Sequence, residues 1–325
     1  MIFEPPYVID SKMKKILTLT INPALDVSTR APRVMPVRKL RCDPAERDPG
    51  GGGINVARVL ERLGADVTAL FTVGGSSGDM VRRLVAAEGV KNIAVPIAGE
   101  TRENFTVNEG TSHQQFRFVL KGPVLSEGEQ QACIDALTEN LSDGDILVAS
   151  GSLPEGAPPG FYASAATVAA ASGAGFVLDT SGEALTRALG AGVSLIKPNL
   201  RELGDMVGGD LATERAQIDA CKKLVAAGKT AAVALTLGAE GALLVTAAGV
   251  WRARPPKVAT ESAVGAGDSF TAGMVWGMAA GWEIEKAFSL GIAAGAAAAL
   301  TPGTELCHAD DVWRFADQIQ PEQLS

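Results

Sequence analysis

The chain has 325 residues, of which 46% are hydrophobic, and its 29 basic and 37 acidic side chains give a net charge of −8. This length provides a sizeable core in one large domain or two smaller ones, and an acidic chain without long basic tracts argues against nucleic acid or a membrane surface as the main partner. Four scattered cysteines without a C-x-x-C pair and only two histidines argue against a zinc site or a disulfide framework, and they predict a cytoplasmic protein with reduced thiols.

The chain alternates between short apolar runs and helical stretches, after residues 1–13, which we expect to form an N-terminal extension without a signal-peptide pattern. This alternation predicts βαβ units around a mostly parallel sheet, and ligands of such folds bind at the carboxyl ends of the strands. No apolar run has the length of a membrane span, and the Ala-rich segment Ile292–Leu300 predicts a buried helix. The predicted strands are, in chain order, Lys15–Leu19, Val67–Val73, Ile146–Ala149, Phe176–Asp179, Leu195–Lys197 and Ala232–Thr236. The predicted helices are Ile54–Leu63, Gly78–Glu88, Glu127–Asn140 and Glu214–Ala227.

Two segments interrupt this alternation. Val27–Asp48 and Thr101–Lys121 are rich in Arg, Val, Phe and Thr, with alternating polar and apolar positions. They predict antiparallel strands inserted into the α/β core, and a small sheet over the strand ends would be a lid that excludes water. An ordinary pair of surface hairpins is the alternative. The lid would comprise residues 27–48 and 101–121, and the core residues 14–26, 49–100 and 122–325.

A first glycine cluster, Gly50–Gly53, precedes a helix that contains Asn55 and Arg58. Four glycines let a ligand approach the backbone N–H groups closely, and the Asn55 amide can hydrogen-bond to sugar hydroxyls. The spacing matches neither the G-x-G-x-x-G turn of dinucleotide folds nor the G-x-x-x-x-G-K-[ST] phosphate loop. A flexible glycine hinge is the structural alternative.

A second cluster, within Glu261–Phe270, sets a Gly-Ala-Gly turn directly before Asp268 at the start of a small-residue helix. Backbone N–H groups at a helix N-terminus form an anion site. A carboxylate beside that site suits a general base, which takes a proton from a hydroxyl while the N–H groups hold a transferring phosphoryl group. Helix capping by Asp268 is the other interpretation, and the motif alone leaves both open.

The two clusters resemble the two signatures of the PfkB (ribokinase-like) carbohydrate kinases, and the likeness runs from about Lys14 to Asp311. The resemblance implies an α/β fold, a ribokinase-like three-layer sandwich with a mostly parallel central sheet and a small antiparallel β lid. It also implies an ATP- and Mg²⁺-dependent glycolytic kinase that phosphorylates O1 of fructose 6-phosphate and forms a homodimer through the lid. The matching segments are Gly50–Arg58 and Val264–Ser269 for the signatures, and Arg38–Cys42, Ser150–Pro154, Lys197–Glu202 and Gly303–Cys307 for the fructose 6-phosphate kinases.

The resemblance assigns the general base to Asp268 and the anion hole to the residues before it. Asp26, expected at the end of the first core strand, would bind sugar hydroxyls because a carboxylate accepts several hydrogen bonds. A turn aspartate is the alternative for this residue. The implied anion-hole residues are Gly265, Ala266 and Gly267, and the implied partners of Asp26 are Gly51, Gly52, Gly53 and Asn55.

The phosphate of the acceptor sugar needs positive charge, which the lid segments supply. Lys39 and Arg102, each in a predicted lid strand, are the first candidates, and Arg41 would assist them. Arg offers a bidentate fork to phosphate, whereas Lys is a mobile point charge. Solvated strand charge is the alternative. Because lids pair between subunits in this family, a partner chain would supply part of the phosphate contact.

The implied nucleotide and metal contacts lie later in the chain. Glu202 would hold Mg²⁺ through water, since Mg²⁺ keeps several waters and needs few carboxylates. The alternative for Glu202 is that a glutamate is simply favourable at a helix N-terminus. The alternative for Gly238 and Gly241 is that they form an ordinary hairpin turn. The implied nucleotide residues are Lys197, Asn199, Thr236, Gly238 and Gly241, and those of a monovalent-cation site, for an ion such as K⁺, are Ser262, Val264, Ala298 and Gly303.

Some positions depart from the family pattern. Ala263 stands where the family has Thr, and Glu305 stands where near relatives have Arg. The run Asn22–Asp26 is closer to kinases for fructose 1-phosphate and tagatose 6-phosphate, whereas Gly52 occupies a position where that branch has Lys. Those two kinases are the alternative functions. A non-catalytic sugar- or nucleotide-binding regulator is a more remote one, against which the intact Asp268 speaks.

Overall fold

The computed structural model describes residues 13–112 and 114–324, so the expected N-terminal extension, apart from Met13, lies outside the described residues. The strands are β1 Ile16–Thr20, β2 Ala24–Ala31, β3 Glu46–Gly50, β4 Val67–Val73, β5 Lys91–Pro96, β6 Arg102–Glu109, β7 Gln115–Val119, β8 Ile146–Ser150, β9 Gly175–Asp179, β10 Leu195–Ile196, β11 Ala232–Thr236, β12 Ala242–Thr246, β13 Val250–Ala253 and β14 Glu322–Leu324. The helices are α1 Gly52–Arg62, α2 Gly75–Ala87, α3 Glu127–Asn140, α4 Phe161–Ala171, α5 Gly182–Ala188, α6 Leu200–Val207, α7 Glu214–Ala226, α8 Ala266–Ala279, α9 Ile284–Ala298 and α10 Ala309–Ala316.

A large sheet forms the middle layer, in the order β14-β13-β12-β11-β10-β9-β8-β1-β4-β5. From β11 to β5 all neighbouring strands run parallel, whereas β12, β13 and β14 complete the other edge in antiparallel pairs. The parallel strands are apolar runs such as Ile16–Thr20, buried at every position, as expected when helices cover both faces.

The helices divide between the two faces of this sheet. Successive strand residues point to opposite faces, so Ala232 and Ala234 pack with the α1, α2, α8, α9 and α10 side, and Val233 and Leu235 pack with the α3–α7 side. Two apolar cores result, one on each face of the sheet. The three-layer α/β arrangement predicted from the sequence is confirmed.

A four-stranded second sheet, in the order β3-β2-β6-β7, contains the two inserted segments. Its outer pairs are antiparallel, as expected, but the central pair, β2 with β6, runs parallel because both strands leave the large sheet in the same direction. The small sheet extends beyond the predicted segments, since β2 begins at Ala24 rather than Val27 and β3 ends at Gly50 rather than Asp48.

The predicted core elements agree closely with the structure. Val67–Val73, Ala232–Thr236 and Glu127–Asn140 have the predicted bounds, and the Ala-rich Ile292–Leu300 falls largely within the buried helix α9. Among the described residues, no helix combines the length and apolar character that crossing a bilayer requires.

Candidate active site

The second glycine cluster forms the N-terminus of α8. Gly265 is the N-cap, with φ of 73°, a left-handed conformation that favours glycine, and a β-carbon there would also displace the end of the Leu306 side chain. Asp268 lies in the first turn of α8. The first N–H groups of a helix have no intrahelical partner, so this turn offers an anion site directly beside the carboxylate.

The first glycine cluster brings Asn55 to Asp268. The Asn55 Nδ2 donates a hydrogen bond of 2.8 Å to Asp268 Oδ2. β-carbons at Gly52 and Gly53 would meet Ser150 and Thr20, respectively, so these glycines let the start of α1 pack against the carboxyl ends of β8 and β1. The cluster therefore has a packing role, and it also delivers the Asn55 amide to the second cluster.

Asp268 has a strongly perturbed acidity. Burial raises its pKa, and the charge of Asp179 adds to the rise, while the Asn55 hydrogen bond and the positive charge of Lys197 oppose it. The resulting pKa is about 7. A carboxyl group that titrates near neutral pH can both accept and release a proton, which is the property a general base needs.

Lys197 and Asp179 form a buried ion pair beside Asp268. The Lys197 Nζ lies 3.2 Å from Asp179 Oδ1, and only 8% of Lys197 is exposed. Burial lowers the pKa of Lys197, but the charges of Asp179 and Asp268 outweigh it and the net pKa is raised. Lys197 therefore stays cationic next to the anion site at Gly267, whose β-carbon would approach its Nζ.

Asp179 is a candidate that the sequence reasoning missed. Its Oδ2 accepts a hydrogen bond of 3.2 Å from the Thr271 hydroxyl of α8, which ties β9 to the helix of the proposed base. The sequence could have identified it, because Asp179 is the last residue of the predicted strand Phe176–Asp179, and ligands of parallel sheets bind at the carboxyl ends of the strands.

An open cavity of about 250 Å³ connects these side chains. Asp268, Asp179 and Glu202 line it together with Gly52, so four residues from distant parts of the chain face one space. Four hydroxyl-bearing residues also line it, Ser150 and Ser152 from the matching segment Ser150–Pro154, which received no role from the sequence, and Thr180 and Ser181, which the sequence analysis did not select.

Asp26 does not end the first core strand, contrary to the sequence prediction. The strand β1 ends at Thr20, and Asp26 lies within β2 of the small sheet, because the chain crosses directly from one sheet to the other. The Asn104 Nδ2 donates a 2.8 Å hydrogen bond to Asp26 Oδ1. Burial raises the pKa of Asp26, and Asn104 and Arg102 oppose that rise.

Of the predicted phosphate-binding residues, only Arg102 lies in a strand of the small sheet, at the start of β6. Lys39 and Arg41 belong to the exposed connection between β2 and β3, so the lid-strand prediction for Lys39 is wrong. Prolines at positions 32, 36 and 44 explain this, since proline cannot donate to a strand ladder. Arg102 donates to the carbonyl oxygens of Leu120 and Asn22, each at 3.1 Å.

Arg102 also lines an open cavity of about 490 Å³ with Lys121, Asn22 and Ser152. Ser152 borders the Asp268 cavity as well, so the two cavities adjoin. Neither Lys39 nor Arg41 is among the described residues that line this second cavity.

The predicted nucleotide residues gather around the ends of β10 and β11. Asn199 bridges to Thr236, and both line a cavity of about 460 Å³ with Gly238 and Arg252. Gly241 closes the short 3₁₀ turn with φ of 94°. The predicted turn between strands is therefore present, with an open space beside it.

Glu202 has a structural role that the sequence alternative anticipated. Its carboxylate accepts the Asn199 N–H and the Asn199 side chain accepts the Glu202 N–H, both at 2.9 Å, so the pair forms a capping box at the start of α6. A carboxylate has about four acceptor sites, so this bond leaves capacity toward the cavity. No cluster of three or more potential metal-binding side chains occurs in the described ranges, but one carboxylate suffices for a hydrated Mg²⁺.

The predicted cation-site residues lie on the loop before α8, at the last residue of α9 and on the loop that follows α9. The Ser262 hydroxyl lies 3.5 Å from the Gly303 carbonyl oxygen and accepts the Val264 N–H at 3.1 Å. The Ala298 carbonyl oxygen, at the end of α9, accepts the Thr301 hydroxyl at 2.9 Å. At Glu305, which replaces the Arg of near relatives, the carboxylate lies 3.0 Å from the His308 Nε2. Ala263 is exposed.

Comparisons with known proteins agree with this geometry. The model of the pfkB family of carbohydrate kinases matches residues 19–311. The chain is 44% identical to the ATP-dependent 6-phosphofructokinase isozyme 2 of Mycobacterium tuberculosis over 310 residues, which cover 95% of this chain and 91% of that protein. It is 33% identical to the 1-phosphofructokinase of Bacillus subtilis over 309 residues, covering 94% and 98%.

Among solved structures, phosphofructokinase-2 from Escherichia coli in complex with fructose-6-phosphate superposes with a TM-score of 0.90 at 37% identity, covering 94% of this chain and 99% of that one. The same enzyme has been solved in complex with potassium and as a tetrameric inhibited form. With the family model matching most of its length and two signatures meeting at one cavity, the chain belongs to the pfkB family of carbohydrate kinases.

Proposed function

We propose that this protein is an ATP-dependent 6-phosphofructokinase, which transfers the γ-phosphoryl group of ATP to O1 of fructose 6-phosphate and yields fructose 1,6-bisphosphate and ADP. The observation that carries the proposal is Asp268, a carboxyl group with a pKa of about 7 at a helix N-terminus. The likeness to 6-phosphofructokinases of isozyme 2 over nearly the whole chain supports the choice of sugar.

Asp268 takes the proton of the O1 hydroxyl as O1 attacks the γ-phosphorus. The new O1–P bond forms while the bond from phosphorus to the bridging oxygen breaks, and that oxygen leaves with ADP. The N–H groups at Gly265, Ala266 and Gly267 stabilise charge on the transferring group, and Lys197 adds a positive charge beside them. Such a transfer depends on positioning and charge neutralisation more than on covalent catalysis.

The remaining roles follow from the cavities. Asn199, Thr236 and Gly238, which line the cavity beside the 3₁₀ turn, would border the nucleotide together with Gly241 at the end of that turn, and Glu202 would hold a hydrated Mg²⁺ through water. Mg²⁺, when bound, neutralises charge on the phosphate oxygens. The residues implied to form the monovalent-cation site lie on the loops before α8 and after α9 and at the end of α9, and the potassium complex of the E. coli enzyme supports K⁺ as that ion.

The acceptor sugar would bind between Asp26, Asn55 and the glycines at positions 51–53, with its phosphate in the cavity at Arg102. Lys39 and Arg41 lie on a long exposed connection, from which they would reach the phosphate of their own or a partner subunit's site. We assign the lid to residues 24–50 and 101–121, and the core to residues 14–23, 51–100 and 122–325, because β2 and β3 of the small sheet extend beyond the predicted segments. The exposed Phe105 and Phe118 of the small sheet support a homodimer through this lid.

We assign the protein to the cytoplasm. Its four cysteines are free, three of them are buried, and burial raises the pKa of each buried thiol. Inert buried thiols fit a reducing compartment.

A kinase for fructose 1-phosphate is the second candidate, favoured by the Asn22–Asp26 run and by 33% identity to the B. subtilis enzyme. The decisive experiment compares kcat/KM for fructose 6-phosphate, tagatose 6-phosphate and fructose 1-phosphate in a coupled assay of ADP release. The highest value for fructose 6-phosphate is expected. A higher value for either other sugar would reassign the substrate, and no sugar-dependent ADP release would favour a non-catalytic regulator.

A further inference from the structure

Arg58 is a buried cation in α1, one helical turn beyond Asn55. Only 2% of its surface is exposed, and its Nε lies 2.6 Å from Glu88 Oε1 at the end of α2. Its Nη1 lies 3.4 Å from three oxygens, the side-chain Oδ1 of Asn55 and the carbonyl oxygens of Pro49 and Thr304.

The Asn55 carboxamide is held between this cation and the carboxylate of Asp268. The guanidinium carries only donors and the carboxylate only acceptors, so the Asn55 oxygen faces Arg58 and its NH₂ group faces Asp268. Rotation of the amide by half a turn would set two donors against each other and two acceptors against each other. Arg58 therefore selects the amide orientation in which Asn55 donates to Asp268.

We propose that Arg58, anchored by Glu88, is a positioning residue for phosphoryl transfer, which fixes the Asn55 amide and thereby the hydrogen bond to Asp268. This inference rests on the proposed function of Asp268 as the general base. The same guanidinium contacts Pro49, which belongs to the small-sheet strand β3, and Thr304, in the loop after α9. Arg58 thus joins three segments around the base through one planar group.

A role in stability alone does not explain this arrangement. A buried ion pair is costly to desolvate, and apolar side chains of similar volume are often equally or more stabilising. Arg62 pairs with the same Glu88 through its Nη2 at 3.0 Å, and its Nη1 donates to the carbonyl oxygens of Glu305 and Cys307. Among the described residues it forms no hydrogen bond with Asn55, so a change at Arg62 is a control for the loss of the pair with Glu88 alone. The charges of Asp48 and Arg62 also act on the pKa of Arg58. The charges of Asp26, Asp179 and Lys197 act on the pKa of Asp268.

The test compares Arg58→Lys, Asn55→Ala, the double variant and Arg62→Lys. Lysine retains the charge opposite Glu88 but lacks the planar fork that reaches Asn55. We expect Arg58→Lys to lower kcat by roughly tenfold to a hundredfold, the range for a misplaced catalytic group, with a smaller change in the KM for ATP. The double variant should lose no more than Asn55→Ala alone, because Arg58 acts through Asn55. Arg62→Lys should keep kcat within about twofold, since it changes the same partner without touching the amide.

A second readout needs no substrate. Titration of the ¹³C-labelled Asp268 carboxyl by NMR, assigned with Asp268→Asn, should give a higher pKa in Arg58→Lys and Asn55→Ala than in the wild type, because the donated hydrogen bond stabilises the anion. An unchanged pKa and kcat in Arg58→Lys, or losses that add in the double variant, would overturn the proposal. Absence of activity with fructose 6-phosphate in the wild type would instead refute the proposed function, and the titration would still decide the role of Arg58.

Should Arg58→Lys not fold, Arg58→Met combined with Glu88→Gln removes the buried cation together with its carboxylate partner. Arg62, which also pairs with Glu88, keeps its hydrogen bonds to the carbonyl oxygens of Glu305 and Cys307 in this variant. A purely structural Arg58 predicts wild-type kcat and an unchanged Asp268 pKa in this folded variant. The positioning role predicts the same loss of kcat and the same rise in pKa as in Arg58→Lys.

Discussion

Asn55 and Asp268 are 213 positions apart in the chain, and a 2.8 Å hydrogen bond joins their side chains. Each follows a glycine cluster that opens a helix, α1 in one case and α8 in the other. A hydrogen bond to an ionised carboxylate is about twice as strong as one between neutral groups, so this contact favours the anionic, proton-accepting form of Asp268. The two signatures thus act as one unit, in which the first adjusts the acidity of the base in the second.

Replacing the proposed base tests that unit directly. Asp268→Asn should lower kcat by roughly 10²- to 10⁴-fold in a coupled assay of ADP release, because the amide cannot accept the O1 proton. Folding should be intact. The pKa of Asp268 is higher in the folded protein than in the unfolded chain, so the folded state favours the protonated carboxyl group. The contribution of this group to the free energy of unfolding is full below about pH 4 and is lost as the pH rises through about 7. At pH 8 the neutral Asp268→Asn variant should therefore melt no lower than the wild type. Asp219→Asn, the same change on the exposed face of α7, should keep normal turnover; near-normal turnover in Asp268→Asn would remove the base assignment.

The pH dependence of the reaction follows from the same group. Asp268 must be deprotonated to act, and its pKa is about 7, so kcat/KM for the sugar should fall as the pH decreases below about 7. The measurement is a pH–rate profile with a coupling system that is not limiting at any pH. An acid limb near pH 4, the ordinary value for aspartate, would show that burial does not perturb the pKa of the base in the free enzyme.

Glu202→Gln separates helix capping from metal binding. Glutamine at this position can also complete a capping box, so the melting temperature should change little, but the loss of charge weakens the hold on hydrated Mg²⁺. We expect a severalfold higher Mg²⁺ concentration for half-maximal activity. Glu127→Gln, in the first turn of α3 and remote from the cavity, serves as the control. An unchanged Mg²⁺ requirement in Glu202→Gln would leave Glu202 with capping alone.

The core of the fold could be predicted from the sequence because its signals are local. Parallel strands covered on both faces are continuous apolar runs, so Val67–Val73 and Ala232–Thr236 stand out with their bounds. The strand β14, Glu322–Leu324, gives no such signal, since it is short, polar and paired only at its edge with β13.

The candidate site could be predicted in its motifs but not in its long-range contacts. Asp268 and Asn55 can be identified from the sequence because each follows a Gly-rich turn at the start of a helix. The contact of Asp26 with Asn104 cannot, because it depends on the parallel pairing of β2 with β6, and these two residues are 78 positions apart in the chain. Lys39 was misplaced because alternation of charged and apolar residues resembles a strand even where prolines prevent one. The sequence identifies Arg58 only as part of a motif, and its contacts with Glu88, Asn55 and Thr304 depend on how the helices and loops pack.

Arg102→Ala should raise the KM for the phosphorylated sugar by roughly tenfold or more, with a smaller effect on the KM for ATP, because a charge-assisted bond to phosphate is lost. Arg102 also donates to the carbonyl oxygens of Asn22 and Leu120, so Arg102→Lys, which retains the charge, distinguishes phosphate binding from support of those loops. Arg30→Ala, at an exposed position of β2, should leave both KM values unchanged. An unchanged sugar KM in Arg102→Ala would exclude its phosphate role.

The proposed lid dimer depends on an apolar face of the small sheet. Phe105 and Phe118 are opposite each other in the antiparallel pair of β6 with β7, so both side chains lie on one face, and 42% and 54% of them, respectively, are exposed. Phe118→Glu should therefore convert a dimer into monomers, since a buried carboxylate in an apolar interface is costly. Sedimentation velocity at micromolar concentration measures this change. If a partner supplies phosphate contacts, the KM for the phosphorylated sugar should rise in the monomeric variant. Val124→Glu, where the valine is 64% exposed but lies outside the small sheet, should leave the assembly intact. A wild-type protein that is monomeric, or a Phe118→Glu variant that sediments as the wild type does, would move the subunit contact away from this face.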